Sequence, residues 1–283
     1  MMRIAERISE VRAAIQLTRQ HGRSIGFVPT MGALHAGHLS LVAASVKECD
    51  FTAVSIFVNP TQFGPHEDLQ RYPRPRAADL ALCEDAGVDL VFYPPVEEMY
   101  PPGALTFVEV AGLSNIWEGV IRPGHFRGVT TVVAKLLNIA GCDRAYFGQK
   151  DYQQQLILRR MATDLNWPTE IITCPILRDA DGLALSSRNI YLSPTERAAG
   201  LAISQSLFAV EHAFAGGERR PRQLQKLLRD SLESAPELIV EYAIIVDPET
   251  MVELEESAEQ MVALIAARSG ATRLIDNVIL KSP

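Results

Sequence analysis

The 283-residue chain is 47% hydrophobic and 22% charged, and its 27 Lys and Arg against 34 Asp and Glu leave a formal charge of −7. A chain this apolar can bury one large core or two medium ones, which excludes intrinsic disorder, and an acidic balance without a long basic block excludes sequence-independent nucleic-acid binding. No stretch approaches the ~18 apolar residues of a membrane span, and MMRIAERISE carries charges where a secretory signal needs an apolar run, so the expected location is the cytoplasm, with no membrane partner.

In chain order, short β-branched or aromatic runs at 25–28, 52–58, 89–93, 144–147 and 170–176 alternate with helically spaced apolar residues at 39–49, 77–86, 129–139 and 152–165. That alternation predicts an α/β fold, a Rossmann-like doubly wound parallel sheet with ligands outside the carboxyl ends of its strands. After about residue 176 the pattern changes. Ser193-Pro194-Thr195-Glu196 is a capping box that starts a helix ending at Gly216-Gly217, a second helix follows at 222–233, and strand-like runs lie at 239–246, 260–267 and 273–280. The expected division is therefore a sheet domain over 1–176 and a smaller C-terminal α+β domain over 177–283. Cys49, Cys83, Cys142 and Cys174 form no CxxC pair and read as reduced, mostly buried thiols. Arg219-Arg220-Pro221-Arg222 reads as a solvated face.

Five segments carry candidate chemistry. The first strand ends in Met31-Gly32-Ala33-Leu34-His35-Ala36-Gly37-His38, after which a helix starts. Its glycines let backbone approach a ligand, the helix start offers N–H groups and a positive dipole end to an anion, and His35 and His38 can donate to phosphate oxygens. HxGH at a strand-to-helix turn is the signature of the HxGH nucleotidyltransferases and the class I aminoacyl-tRNA synthetases. Asn59-Pro60-Thr61-Gln62 follows the second strand and offers neutral groups to a small polar substrate. Arg122 and Arg127, with His125, stand around glycine and proline before the helix at 129–139; they either clamp an anion or pair with surface acids. Gly148-Gln149-Lys150-Asp151 opens another helix, with Lys150 and Gln154 four apart and so expected on one helical face. Leu185-Ser186-Ser187-Arg188, after the turn Asp179-Ala180-Asp181-Gly182, supplies hydroxyl and guanidinium donors for phosphate. Arg122, Arg127, Lys150 and Arg188 against Asp151 predict a locally positive cleft in an acidic protein.

Taken together and in order, TMGALHAGH, NPTQFG, RPGHFRGVTTVVAKL, FGQKDYQQ, RDADGLALSSRN and TRLIDN resemble the pantoate–β-alanine ligase family. Small departures are Ala36, where the family often has an acid, and Gln149, where it usually has glutamate. The resemblance implies an ATP-dependent carbon–nitrogen ligase that forms pantothenate from (R)-pantoate and β-alanine through a pantoyl adenylate, releasing pyrophosphate and then AMP. It implies ATP contacts at Met31 through His38, at Gly148, Gln149, Lys150 and Asp151, and at Leu177, Leu185, Ser186, Ser187 and Arg188, with His38 as the proton donor. Gln62, Gln154 and Asn59 are the expected pantoate and β-alanine contacts. His35, His38, Lys150, Ser187 and Arg188 would oppose the charge developing on the phosphates. Mg²⁺ is expected on the ATP phosphates without an assigned protein ligand, and a homodimer is implied. The neutral Gln62 and Gln154 disfavour another HxGH nucleotidyltransferase with a phosphorylated acceptor, and a silent nucleotide-binding module would tolerate loss of His38.

Overall fold

The computed structural model describes residues 2–65 and 67–281. All pairings in its larger sheet are parallel, in the order β1 (Arg3–Ala5), β4 (Leu90–Phe92), β3 (Phe51–Ile56), β2 (Ile25–Thr30), β5 (Arg144–Gly148), β6 (Glu170–Cys174). The connecting helices are α1 (Ile8–Gln20), α2 (Ala36–Glu48), α3 (Arg76–Asp85), the short α4 (Val96–Met99) and α5 (Glu118–Ile121), α6 (His125–Ala140) and α7 (Tyr152–Asp164). Alternation along the strands sorts the helices onto two faces. Ile25 and Phe27, Leu90 and Phe92, and Ala145 and Phe147 pack with α1, α6 and α7, whereas Val28, Val91 and Tyr146 pack with α2 and α3. The sheet is doubly wound, as the alternating pattern predicts.

The order reverses between β2 and β5, because β2 leads on to β3 and β4 on one side while β5 and β6 lie on the other. In such sheets the crevice at that reversal, outside the strands' carboxyl ends, is where ligands bind. The HxGH turn leaves β2 there. β1 and α1 were not expected. β1 is three residues long, too short for a periodic signal, and Arg7 stands where α1 would show a capping side chain; Glu10 serves instead, accepting the N–H of Glu6 and Arg7 at 2.9 and 3.0 Å.

The second sheet is antiparallel, in the order β7 (Leu238–Val246), β8 (Gln260–Ser269), β9 (Thr272–Lys281), and it packs Ala243, Ile245, Ala263, Ile265 and Leu274 against α8 (Pro194–Ala215) and α9 (Pro221–Leu232). The capping box holds: Ser193 Oγ accepts the Glu196 N–H at 3.3 Å, and Glu196 Oε2 accepts that of Ser193 at 2.8 Å.

Two compact units result, with a boundary that differs from the expected one. The first runs to Gly148 and resumes from Gln153 to Pro175; the second consists of Gln149–Tyr152 together with the chain from Ile176 onward. The four cysteines are free thiols, and burial pushes Cys83 up to about 11 and Cys142 up to about 12, which keeps both protonated. The basic run is tied to its own unit: Arg219 stacks on Phe214, Arg220 pairs with Glu218 and Arg222 with Glu255.

Candidate active site

In the first unit, the HxGH turn is a capping box made of histidines. His35 is the N-cap of α2 in extended backbone (φ −139°, ψ 175°), and its Nδ1 accepts the Gly37 N–H at 3.1 Å. His38, three residues on, turns its Nδ1 back to accept the His35 N–H at 3.4 Å. A ring nitrogen that accepts cannot carry the proton, so both imidazoles are the Nε2–H tautomer, each a donor at Nε2. The ring centroids lie 4.1 Å apart, tilted by 44°.

The loop before these rings is held in a costly shape. Gly32 (φ +85°) and Ala33 (φ +50°) are left-handed, a region in which a side-chain-bearing residue costs on the order of 1 kcal/mol. Asp79 of α3, 2% exposed, fixes them: its two oxygens accept the Ala33 and Leu34 N–H groups at 2.9 and 2.8 Å. This corrects the expectation that the turn presents a row of backbone donors to an anion. The amides of Ala33, Leu34 and Gly37 are spent inside the protein, so the imidazole Nε2–H groups are the donors the turn contributes by side chain.

Beside this turn stands Gln62, whose Nε2 lies 3.2 Å from Met31 Sδ and whose Oε1 accepts from Asn59 Nδ2 at 3.0 Å. Asn59 is 1% exposed. Its other amide hydrogen goes to Gly128 O at 3.1 Å, and its Oδ1 accepts from Thr61 N, Thr61 Oγ1 and Tyr100 OH. With every polar site engaged, Asn59 positions Gln62 rather than reaching a substrate. A Cβ at Gly128 would stand 2.3 Å from Thr61 O, so only glycine lets α6 approach this turn.

Arg122 takes the second of its two readings, pairing with acids. Arg122 grips Glu67 with both ends of its fork, Nε to Oε1 at 2.7 Å and Nη2 to Oε2 at 2.6 Å, and lies 3.6 Å from Glu118. His125 Nδ1 meets Gln62 O at 2.8 Å and its Nε2 meets Arg122 Nη1 at 3.0 Å. The cluster holds the main chain of Gln62, and Arg122 is not a cation spare for phosphate. Arg127 lies over the Phe107 ring at 3.9 Å. Burial pushes the Glu67 carboxyl up, but the Arg122 bonds and charge, with His125 behind them, bring it below its ordinary 4.5. A carboxylate depressed in the folded state adds stability above its unfolded pKa and loses it as pH falls. The melting-temperature gap between the native protein and Glu67→Gln should therefore be full near neutrality and shrink below about pH 4.5; a gap unchanged down to about pH 3 would remove Glu67 from the titrating groups.

Of the three consecutive glutamines in α7, Gln153 is spent on the Glu118 N–H and on Leu113 O and Ile116 O, and Gln155 accepts from Thr173 Oγ1. Gln154 is the half-buried member of the trio. Lys150 is not on this helix, since α7 begins at Tyr152. The shared helical face expected for Lys150 and Gln154 does not exist.

In the second unit, Lys150, Ser186 and Asp276 line one small cavity of about 20 Å³, room for roughly one water, together with Leu183, Ala184 and Arg273. The strip from Leu177 to Leu185 is a tight hairpin: Leu185 N donates to Leu177 O at 3.0 Å, and Gly182, at φ +97°, closes the turn. Asp179 and Asp181 are consumed by Arg197 at 2.7 and 2.8 Å. Ser186 caps the turn Ser187–Tyr191 by accepting the Arg188 N–H at 3.3 Å.

Residues 3–279 match the model of a family described as pantoate-beta-alanine ligase. The chain belongs to the pantoate–β-alanine ligase family. A curated pantothenate synthetase of Acidobacterium capsulatum is 56% identical over 290 residues, covering 99% of this chain and 97% of that protein. A crystal structure of pantothenate synthetase from Thermus thermophilus superposes with a TM-score of 0.95 at 45% identity, covering 99% of this chain and 100% of that one. A pantoate-beta-alanine ligase from Francisella tularensis, complexed with beta-gamma ATP and beta-alanine, gives 0.80 at 34% identity, covering 100% and 99%.

Membership makes the chain an enzyme that joins pantoate to β-alanine. Asp79 holds the loop before the HxGH turn, Glu67 holds Arg122 and Tyr100 donates to Asn59, although no motif marked these three. Asp79 was legible only as an acid at a helix start, and its partners Ala33 and Leu34 lie more than forty residues earlier.

Proposed function

We propose that this ligase works in two steps at the groups described. In the first, an oxygen of the pantoate carboxylate attacks the α-phosphorus of ATP, the bond to the bridging oxygen breaks, and pyrophosphate leaves with that electron pair. In the second, the β-alanine amine attacks the acyl carbon, the acyl–oxygen bond breaks, AMP leaves, and the amine gives up a proton to form the amide. What the chain supplies is alignment and charge compensation, because such displacements need little covalent help.

The observation that carries this reading is the contact of Gln62 with Met31, which sets a neutral amide against the first residue of the HxGH turn. A carboxylate substrate bound by Gln62 thus lies beside the phosphate-binding turn, and a neutral group holds it without lowering its nucleophilicity as an arginine would. His35 and His38 donate Nε2–H to phosphate oxygens as their charge grows. Lys150, Ser187 and Arg188 add charge and hydrogen bonds on the triphosphate, and Gln154 holds pantoate. His38 as a hydrogen-bond donor needs no proton transfer.

Magnesium, where bound to the triphosphate, would add charge compensation there. Among the described residues no three His, Cys, Asp or Glu side chains group as a cation site, and both oxygens of Asp79 are occupied by amides. The reading includes a cytoplasmic homodimer, supported by the family resemblance, by free cysteines and by the finding that no described helix is long and apolar enough to cross a membrane. Pantoate should drive exchange of labelled pyrophosphate into ATP, and AMP should appear only once β-alanine is added. Absence of pantoate-dependent exchange would sink the proposal.

A further inference from the structure

Lys150 sits in a turn with no helix of its own, yet its main chain is fastened by a residue 127 positions away. Asn277 of β9, 2% exposed, donates both hydrogens of Nδ2 to consecutive carbonyls, Gln149 O at 2.9 Å and Lys150 O at 3.0 Å. Its Oδ1 accepts from Gln149 Nε2 at 3.1 Å. The amide cannot be flipped, since its oxygen would then face two carbonyls. Only a planar amide of this length offers two donors to adjacent carbonyls and an acceptor on the same side: aspartate brings a negative oxygen, and serine one hydrogen.

Asn277 is itself held from below. Its N–H donates to Asp276 Oδ1 at 2.8 Å, and the Asp276 carboxylate, 3% exposed, takes both ends of the Arg178 fork. Arg178 follows Leu177, bridges to Ala184 across the hairpin and lies over Phe208 at 5.0 Å. Two neighbouring residues of one strand thus fasten both the Lys150 turn and the hairpin that leads to Ser186, Ser187 and Arg188.

We infer that Asn277 is a positioning residue for adenylate formation: it acts through Lys150, by setting the main chain from which the lysine reaches the triphosphate. The inference rests on the role given to Lys150 above. A misplacement on the order of 1 Å costs about 10²-fold in an aligned displacement, so Asn277→Ala is expected to slow pantoate-dependent pyrophosphate exchange about 10- to 100-fold. Acyl transfer from chemically prepared pantoyl adenylate to β-alanine should stay within about 2-fold, because the triphosphate takes no part in it.

The test uses the full-length protein and three backgrounds. In the native background Asn277→Ala and the near-isosteric Asn277→Asp should both slow exchange while keeping a cooperative melt; if the alanine variant does not fold, the aspartate variant carries the measurement. In Lys150→Ala, adding Asn277→Ala should cost less than about 2-fold, and in His38→Ala it should cost its full factor, since only residues acting through one another depart from additivity. Equal losses in both half-reactions, or full additivity with Lys150→Ala, would overturn the inference. Unimpaired exchange in Lys150→Ala would remove the role of Lys150 itself and the inference with it.

Discussion

His38→Ala is expected to lower turnover about 10²-fold or more, the scale of removing one donor aimed at developing charge. The side chain has two jobs, and a single substitution confounds them. Its Nδ1 caps α2 by accepting the His35 N–H, and Nε2–H is the donor assigned to the phosphate. His38→Asn separates them, because an asparagine oxygen can stand where Nδ1 stands while nothing reaches the Nε2 position. The asparagine variant should recover part of the stability lost by the alanine variant, about 1 kcal/mol for a cap, and recover none of the turnover. His38→Gln, which reaches further, should do the opposite. If His38→Asn is as active as the native enzyme, the ring serves only the helix.

Lys150→Ala is expected to cost a comparable factor, about 10²-fold, concentrated in formation of the adenylate. Single-turnover measurement with excess enzyme reads that step directly, and an unchanged first-step rate would refute the assignment. Lys150→Arg should rescue poorly. The ammonium is a compact point charge on a flexible stem, whereas guanidinium is planar and bulkier, and the cavity that Lys150 shares with Ser186 and Asp276 has room for little more than one water. The stability of either variant should change little, because the bonds that fasten this turn are to the Lys150 main chain.

What the sequence revealed of this site was what lies close together along the chain. The β2 strand, the glycine turn, HxGH and α2 are consecutive, so periodicity, turn chemistry and helix start agree within one short stretch. That agreement is why a doubly wound sheet with a glycine turn between β2 and α2 could be anticipated. The capping-box geometry of the histidines was not anticipated, since histidine is not among the residues that usually cap helices. Roles set by distant partners were out of reach. Arg122 suited an anion clamp and a pairing with acids equally, and Glu67, 55 residues earlier, fills its fork. Asn59 looked like a substrate ligand until Tyr100 and Gly128 filled its oxygen and its amide. Lys150 looked like the first turn of α7, and nothing local says that its backbone answers to Asn277. For Arg122 and Asn59 the side chain was chemically suited to two tasks, and a long-range contact decided between them.

The affiliation of Gln149–Tyr152 with the second unit bears on how this family can recombine. A chimaera of two members joined near residue 176 looks like a clean exchange of halves, yet it takes the lysine turn from one parent and β9 from the other. The seam that matters is then the one between Asn277 and two carbonyl oxygens. Because those acceptors are main-chain atoms, present whatever side chains the other parent carries, the two bonds from Asn277 survive sequence divergence in the turn as long as the asparagine is kept, and a change at 149 removes only the contact of its side chain. A chimaera that loses it inherits a lysine of the right identity on a turn without these two bonds.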